Sequence, residues 1–287
     1  MGTKAWVGTV VRRGRGEGKI AIVVGASRGI GEGIVRDFAK EGARVVLVCS
    51  RTIDRALKIA EEINQKYGPG RATPIQADVT KEEDVIRMID ETVNLFGEID
   101  IVVYSAGALR AGSVKTMSLQ DFELVTKVNY VGYFLCVKHA AKVMAKQHKR
   151  DPSRWMDIIQ INSKSGLQGS YKNAAYAGSK FGGIGLTQSF ALELLEDGIK
   201  VNAICPGNYF DGPLWSDPKK GLFVQYLKAG KVPGANTVED VRRYYESKIP
   251  MGKGCKIEDI MHAIYYVIEQ PYETGQAILV AGGQVMR

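Results

Sequence analysis

Histidine is scarce in this chain, with three among 287 residues, and none stands at metal-ligand spacing from another histidine or from a cysteine. A zinc site is therefore not expected. The four cysteines, Cys49, Cys136, Cys205 and Cys255, include no C-x-x-C pair and each lies in or beside an apolar segment, which reads as buried thiols in a reducing cytoplasm. No apolar run approaches the ~18–20 residues of a membrane span, and residues 1–18 lack the apolar core of a secretion signal. There is no internal repeat and no low-complexity tract. The formal charge is +8, but the excess gathers in the leader (Lys4, Arg12, Arg13, Arg15, Lys19) and in 217–253. That distribution suits a solvated surface or a small anionic substrate better than nucleic acid.

What is present is an alternation of strands and helices. Lys19 to Val24 is a continuous apolar run fit for a strand buried on both faces. The turn Gly25-Ala26-Ser27-Arg28-Gly29-Ile30-Gly31 follows, then a helix through Lys40. Glycines at such a turn let the backbone approach a phosphate, while free N–H groups at the helix start point at it. Further strands are expected at 44–49, 72–77, 100–104, 158–161, 200–204 and 276–280. Helices are expected at 56–67, from Thr80 (as cap, with Glu83 completing a capping box), at 118–147, 174–196 and 257–269. This order means an α/β fold with a doubly wound parallel sheet of about seven strands and helices on both faces. One catalytic domain over 19–287 is expected, preceded by a basic extension over 1–18. Residues 206–253 are read as an excursion covering the carboxyl edge of the sheet, where ligands bind in such folds.

Chemistry concentrates at that edge. Tyr176 and Lys180, four apart on a helix, share a face. An ammonium beside a phenol favours the phenolate, so Tyr176 can exchange a proton with a substrate hydroxyl near neutral pH. Ser163 ends the preceding strand and is placed to hold a carbonyl oxygen.

Taken with Asp78, Ser105-Ala106-Gly107, Asn129 and Pro206-Gly207, these motifs resemble the short-chain dehydrogenase/reductase family in order and spacing over about 19–287. The resemblance implies a Rossmann-type fold, a nicotinamide cofactor, a homotetramer and a catalytic set of Asn129, Ser163, Tyr176 and Lys180. Asn129 is implied to interrupt the long helix and hold a water linking Lys180 to solvent. The implied cofactor site comprises Gly25, Ser27, Arg28, Gly29, Ile30, Gly31, Ser50, Arg51, Asp78, Val79, Ser105, Ala106, Gly107, Tyr176, Lys180, Pro206 and Gly207. Ser163, Lys164, Gln168, Tyr176 and Asn208 are assigned to the substrate.

Two departures stand out: Tyr104-Ser105 replaces the family's usual pair after strand four, and after Pro206-Gly207, where a carboxamide-binding Thr is usual, the run is Asn208-Tyr209-Phe210-Asp211. Where NAD-binding members carry an acidic residue, this chain has Cys49-Ser50-Arg51, with Arg28 nearby. A serine and two guanidiniums suit a 2′-phosphate, so NADP is expected over NAD. A narrower resemblance, carried by 129–136, 161–166, 180–183, Tyr244-Tyr245, Gly254-Cys255 and 282–286, is to sorbitol-6-phosphate 2-dehydrogenases. It implies a polyol or sugar phosphate as small-molecule substrate. The alternatives are a reductase of an uncharged ketone or 3-oxoacyl thioester, or a non-catalytic cofactor-binding sensor or scaffold.

Overall fold

A computed structural model describes residues 14–286. In chain order it runs β1 (Ile20–Val24), α1 (Gly29–Lys40), β2 (Arg44–Cys49), α2 (Ile53–Tyr67), β3 (Ala72–Gln76), α3 (Glu82–Phe96), β4 (Ile101–Tyr104), α4 (Leu119–Thr126) and α5 (Gly132–Arg150). β5 (Met156–Ile161), α6 (Ala174–Glu193), β6 (Ile199–Pro206), α7 (Pro213–Ser216), α8 (Leu222–Lys228), α9 (Val238–Ser247), α10 (Ile257–Glu269) and β7 (Ala277–Val280) complete it. The seven strands form one parallel sheet in the order β3-β2-β1-β4-β5-β6-β7. The order reverses between β1 and β4, and a crevice opens at their carboxyl ends.

Every residue of β1 and of β5 is buried, because helices cover both faces of the sheet. One apolar layer packs Phe38, Ile34, Ile63 and Ile264 beneath β1 and β2; the other packs Met88, Tyr133 and Met144 on the opposite face. Each such side chain taken fully out of water contributes roughly 1.5–3 kcal/mol. A third cluster belongs to the excursion: Phe210, Trp215, Phe223, Tyr226 and Val241 pack on one another and on Leu109. The segment is thus a lid with its own small core, and Tyr176 lies against its flank.

Two local expectations are corrected and one is met. Thr80 does not cap α3; its hydroxyl donates to Asp78 Oδ1 at 2.8 Å, and Asp84 Oδ2 accepts the Asp78 N–H at 2.8 Å. The interruption that the resemblance implies at Asn129 is a π-turn, Lys127–Val131, joining α4 to α5, and Ser118 caps α4 by accepting from the Asp121 N–H. Residues 14–18, read as part of the extension, pack on the body. The Gly16 N–H donates to the Glu41 carbonyl, Arg15 pairs with Glu269 at 2.5 Å, and its guanidinium lies 3.9 Å from the centre of the Tyr265 ring. The leader's remaining basic and apolar residues, 1–13, lie outside the described residues.

Candidate active site

The glycine turn is shaped for a close visitor. Gly25 has φ +83, and a Cβ there would stand 2.7 Å from the Ala106 Cα, so neither the backbone angle nor the space admits a side chain. Gly29, φ +61, precedes the free N–H groups of α1's first turn. Ser27 is buried, its hydroxyl 2.6 Å from that of Thr52, which ties the turn to the loop after β2. Arg28, Ser50 and Arg51 are exposed around that loop, and neither arginine makes an ion pair among the described residues. Asp78 and Val79 follow β3, Ser105-Ala106-Gly107 follow β4, and Pro206-Gly207 end β6, all at the same sheet edge. One Asp78 oxygen is held by the Thr80 N–H and hydroxyl, which fixes the carboxylate's orientation. A backbone cradle that excludes Cβ atoms, a helix N-terminus and unpaired guanidiniums suit a dinucleotide's phosphates. The expected cofactor residues fit the group.

Ser163 and Tyr176 meet at the next switch along the edge. The Ser163 Oγ accepts from the Ser165 N–H at 3.1 Å and faces the phenol of Tyr176 closely enough to act on its proton affinity. Burial pushes the Tyr176 pKa up, and the Ser163 hydroxyl opposes that shift. Lys180 is fully enclosed. Its Nζ donates to the Ile161 carbonyl at 2.8 Å and lies 5.7 Å from the centre of the Tyr176 ring. Desolvation lowers the ammonium's pKa to about 8. The expectation that Lys180 lowers the phenol's pKa thus meets a different arrangement, in which Ser163 is the group that acts on the phenol.

Asn129 sits in the π-turn, fully buried. Its Nδ2 donates to the Ala108 carbonyl (2.9 Å) and to Ser179 Oγ (3.0 Å), and its Oδ1 accepts from the Ala108 N–H (2.7 Å). Both amide hydrogens are therefore committed to protein, and the side chain locks the loop after β4 onto α6. Among the assigned substrate residues, Lys164 is partly buried beside Ser163, while Gln168 is exposed and its side chain makes no hydrogen bond with the described residues. Asn208 is buried. Its N–H donates to Gln284 Oε1 at 3.2 Å, its carbonyl accepts from the Cys255 N–H at 2.8 Å, and its Nδ2 has no partner among the described residues. A buried amide donor left open is costly unless a ligand meets it.

Several contributors are absent from the sequence reading. Asn162 donates to the Lys180 carbonyl at 3.0 Å and accepts from the Ser163 N–H at 2.8 Å, setting the strand end against the helix. The Tyr104 hydroxyl reaches the π-turn at Val128. Asn173, Tyr226 and Lys231 form a polar cluster between lid and helix. The I-N-S run, the Tyr104-Ser105 departure and the basic surplus over 217–253 mark Asn162, Tyr104 and Lys231 in the sequence; the contacts they make depend on long-range packing.

A family model described as short chain dehydrogenase matches residues 19–215. Sorbitol-6-phosphate 2-dehydrogenase of Escherichia coli (strain K12) is 38% identical over 271 residues, covering 93% of this chain and 99% of the relative. Among solved structures, sorbitol-6-phosphate 2-dehydrogenase SrlD from Erwinia amylovora superposes with a TM-score of 0.84 at 37% identity, over 93% of this chain and 100% of that one. An actinorhodin polyketide ketoreductase variant with NADPH gives a TM-score of 0.82 at 25% identity, over 94% of this chain and 98% of that one.

Proposed function

The chain belongs to the short-chain dehydrogenase family of nicotinamide-dependent oxidoreductases, and from that premise we propose that it interconverts a polyol phosphate and the corresponding ketose phosphate, with NADP as cofactor. Bound nicotinamide supplies or accepts the hydride; the rest falls to the chain's own residues. Ser163 holds the substrate oxygen. Tyr176, beside the same serine, gives a proton to that oxygen in reduction and takes it in oxidation. Lys180 carries a proton whose affinity lies close to neutral pH and anchors the helix through Ile161. Asn129 holds the loop after β4 against α6.

The observation that carries the substrate is the near-complete overlap with a sorbitol-6-phosphate 2-dehydrogenase, covering lid as well as core. The unpaired Arg28 and Arg51 support NADP. Leu119, Phe122, Val131, Phe134, Phe181 and Leu192 on α4, the π-turn, α5 and α6 are exposed; an apolar surface of this kind supports the homotetramer the family resemblance implies. Four free thiols, three of them buried, support a cytoplasmic setting; among the described residues no helix is long and apolar enough to cross a membrane.

Initial rates on sorbitol 6-phosphate, other polyol phosphates and free polyols, each with NADP and NAD, test the reading. A preference of roughly tenfold or more for a phosphorylated polyol is expected, the scale of a charge-assisted contact. Equal efficiency on free polyols, or turnover confined to uncharged ketones or thioesters, overturns it.

A further inference from the structure

The basic residues of the lid and its surroundings are not equivalent. Arg242 pairs with Glu246 and Arg243 with Asp240, each at 2.8 Å. Lys219, Lys220 and Lys228 are exposed to water, and Lys172 donates to the Ala229 carbonyl at 2.6 Å. Lys164 and Lys231 differ from all of these. Both are partly buried, neither makes an ion pair and, unlike the equally part-buried Lys172, neither ammonium donates to a backbone carbonyl among the described residues.

Their positions relative to the catalytic pair are fixed by the fold. Lys164 is the residue after Ser163 and opens the short turn Lys164–Gly166. Lys231 comes from the lid. Its Nζ stands 3.9 Å from the centre of the Tyr226 ring and 3.1 Å from the Asn173 amide oxygen, in the orientation of that amide which lets its nitrogen donate to the Lys172 carbonyl. Asn173 is the N-cap of α6, three residues before Tyr176. The ring and the amide hold Lys231 in place but bring no negative charge. Desolvation lowers the affinity of both ammonium groups for their protons, and the charge of Lys164 adds to the effect at Lys231. Two partly buried ammonium groups, one on the residue after Ser163 and one held by the N-cap residue of the Tyr176 helix, thus stand with no counter-ion among the described residues. This is a standing electrostatic cost that a dianion would relieve.

We propose that Lys164, from the end of the strand, and Lys231, from the lid, together take the phosphate of a phosphomonoester substrate. The inference rests on the polyol-phosphate reading above and assigns its phosphate site. A compact ammonium meets a phosphate oxygen as a point charge, and one from each side fixes which carbon lies under Tyr176.

The test compares wild type with Lys231→Met, Lys164→Met and Lys231→Arg. The first measurement is the ratio of kcat/KM on sorbitol 6-phosphate to that on sorbitol. The second is calorimetric titration of inorganic phosphate into enzyme saturated with NADP, so that the cofactor's own phosphate subsite is filled. Each methionine variant should lower the ratio about 10- to 100-fold and weaken phosphate binding, whereas Lys231→Arg should keep most of both. Equal losses on the two substrates would mean that the lysines only hold the fold, and would overturn the assignment. So would phosphate binding that is absent from wild type or identical in all four proteins. If wild type turns over neither polyol, the polyol-phosphate reading has failed on its own account. The titration then decides the lysine site alone: phosphate binding to wild type that weakens in both methionine variants sustains it, and any other pattern ends it.

Discussion

The hydroxyl of Tyr104, at the end of β4, donates to the carbonyl of Val128 at 2.5 Å. A π-turn shifts its hydrogen bonds to i→i+5 and leaves backbone groups without helical partners; Tyr104 satisfies one of them from across the sheet edge. The residue that departs from the family pattern is therefore the one that fastens the turn carrying Asn129.

Tyr104→Phe should cost about 1–3 kcal/mol of stability, since a buried carbonyl loses its donor, and should reduce kcat several-fold by loosening Asn129. Urea denaturation and steady-state rates check this. Unchanged stability would show that the π-turn stands without the phenol.

Tyr176→Phe should retain the fold and cofactor binding, because the ring still packs against the lid, while turnover falls roughly 10²–10⁴-fold. Fluorescence titration with NADPH beside rate measurements separates the two. Rates near wild type would remove the phenol from proton transfer.

Lys180 gives a pH-dependent prediction about stability. Its pKa is about 8 in the folded protein, against the ordinary lysine value of 10.5 that the unfolded chain regains. Between those values the unfolded chain therefore binds the extra proton. Burial of the ammonium then costs stability in full below about pH 8, and the cost is relieved as pH rises toward 10.5. Relative to Lys180→Met, wild type should gain about 2 kcal/mol between about pH 7 and pH 10. A stability difference that stays flat across that range would contradict an enclosed, titrating ammonium.

Arg51→Ala should lower kcat/KM with NADP by about tenfold or more, the scale of a lost charge-assisted hydrogen bond, and change the NAD value far less. A wild type that prefers NAD outright would defeat the assignment of Arg28 and Arg51 to a 2′-phosphate.

Much of this was legible in the chain because it is local. β2 runs over Arg44–Cys49 and α10 over Ile257–Glu269 as the periodicity predicts, each an apolar pattern with clear stops. The strand-end position of Ser163 and the i, i+4 relation of Tyr176 and Lys180 likewise needed only a strand end and a helix face. What escaped was decided by competition or by distant partners. Thr80 had the right spacing for a cap, but Asp78, two residues away, took its hydroxyl. The break at Lys127–Val131 was signalled only by the family resemblance, because its supports, Tyr104 and Asn129's bonds to Ala108 and Ser179, are contacts that periodicity within 118–147 cannot register. Lys164 and Lys231 stood among several equivalent basic residues until folding left those two partly buried with neither an ion pair nor a backbone carbonyl to meet among the described residues.

The lid's private core bears on how such an enzyme changes its diet. Trp215 packs edge-on against Phe210, Tyr226 and Tyr245, largely apart from the two layers that sandwich the sheet. The lid's seams with the body are few and specific: Tyr176 and Leu109 pack on it, Pro213 approaches Gly29 of the dinucleotide turn, and Tyr226 meets Asn173 at the start of the Tyr176 helix. A change inside the lid therefore reaches the redox machinery through those named contacts, and substitutions remote from them alter the lid alone.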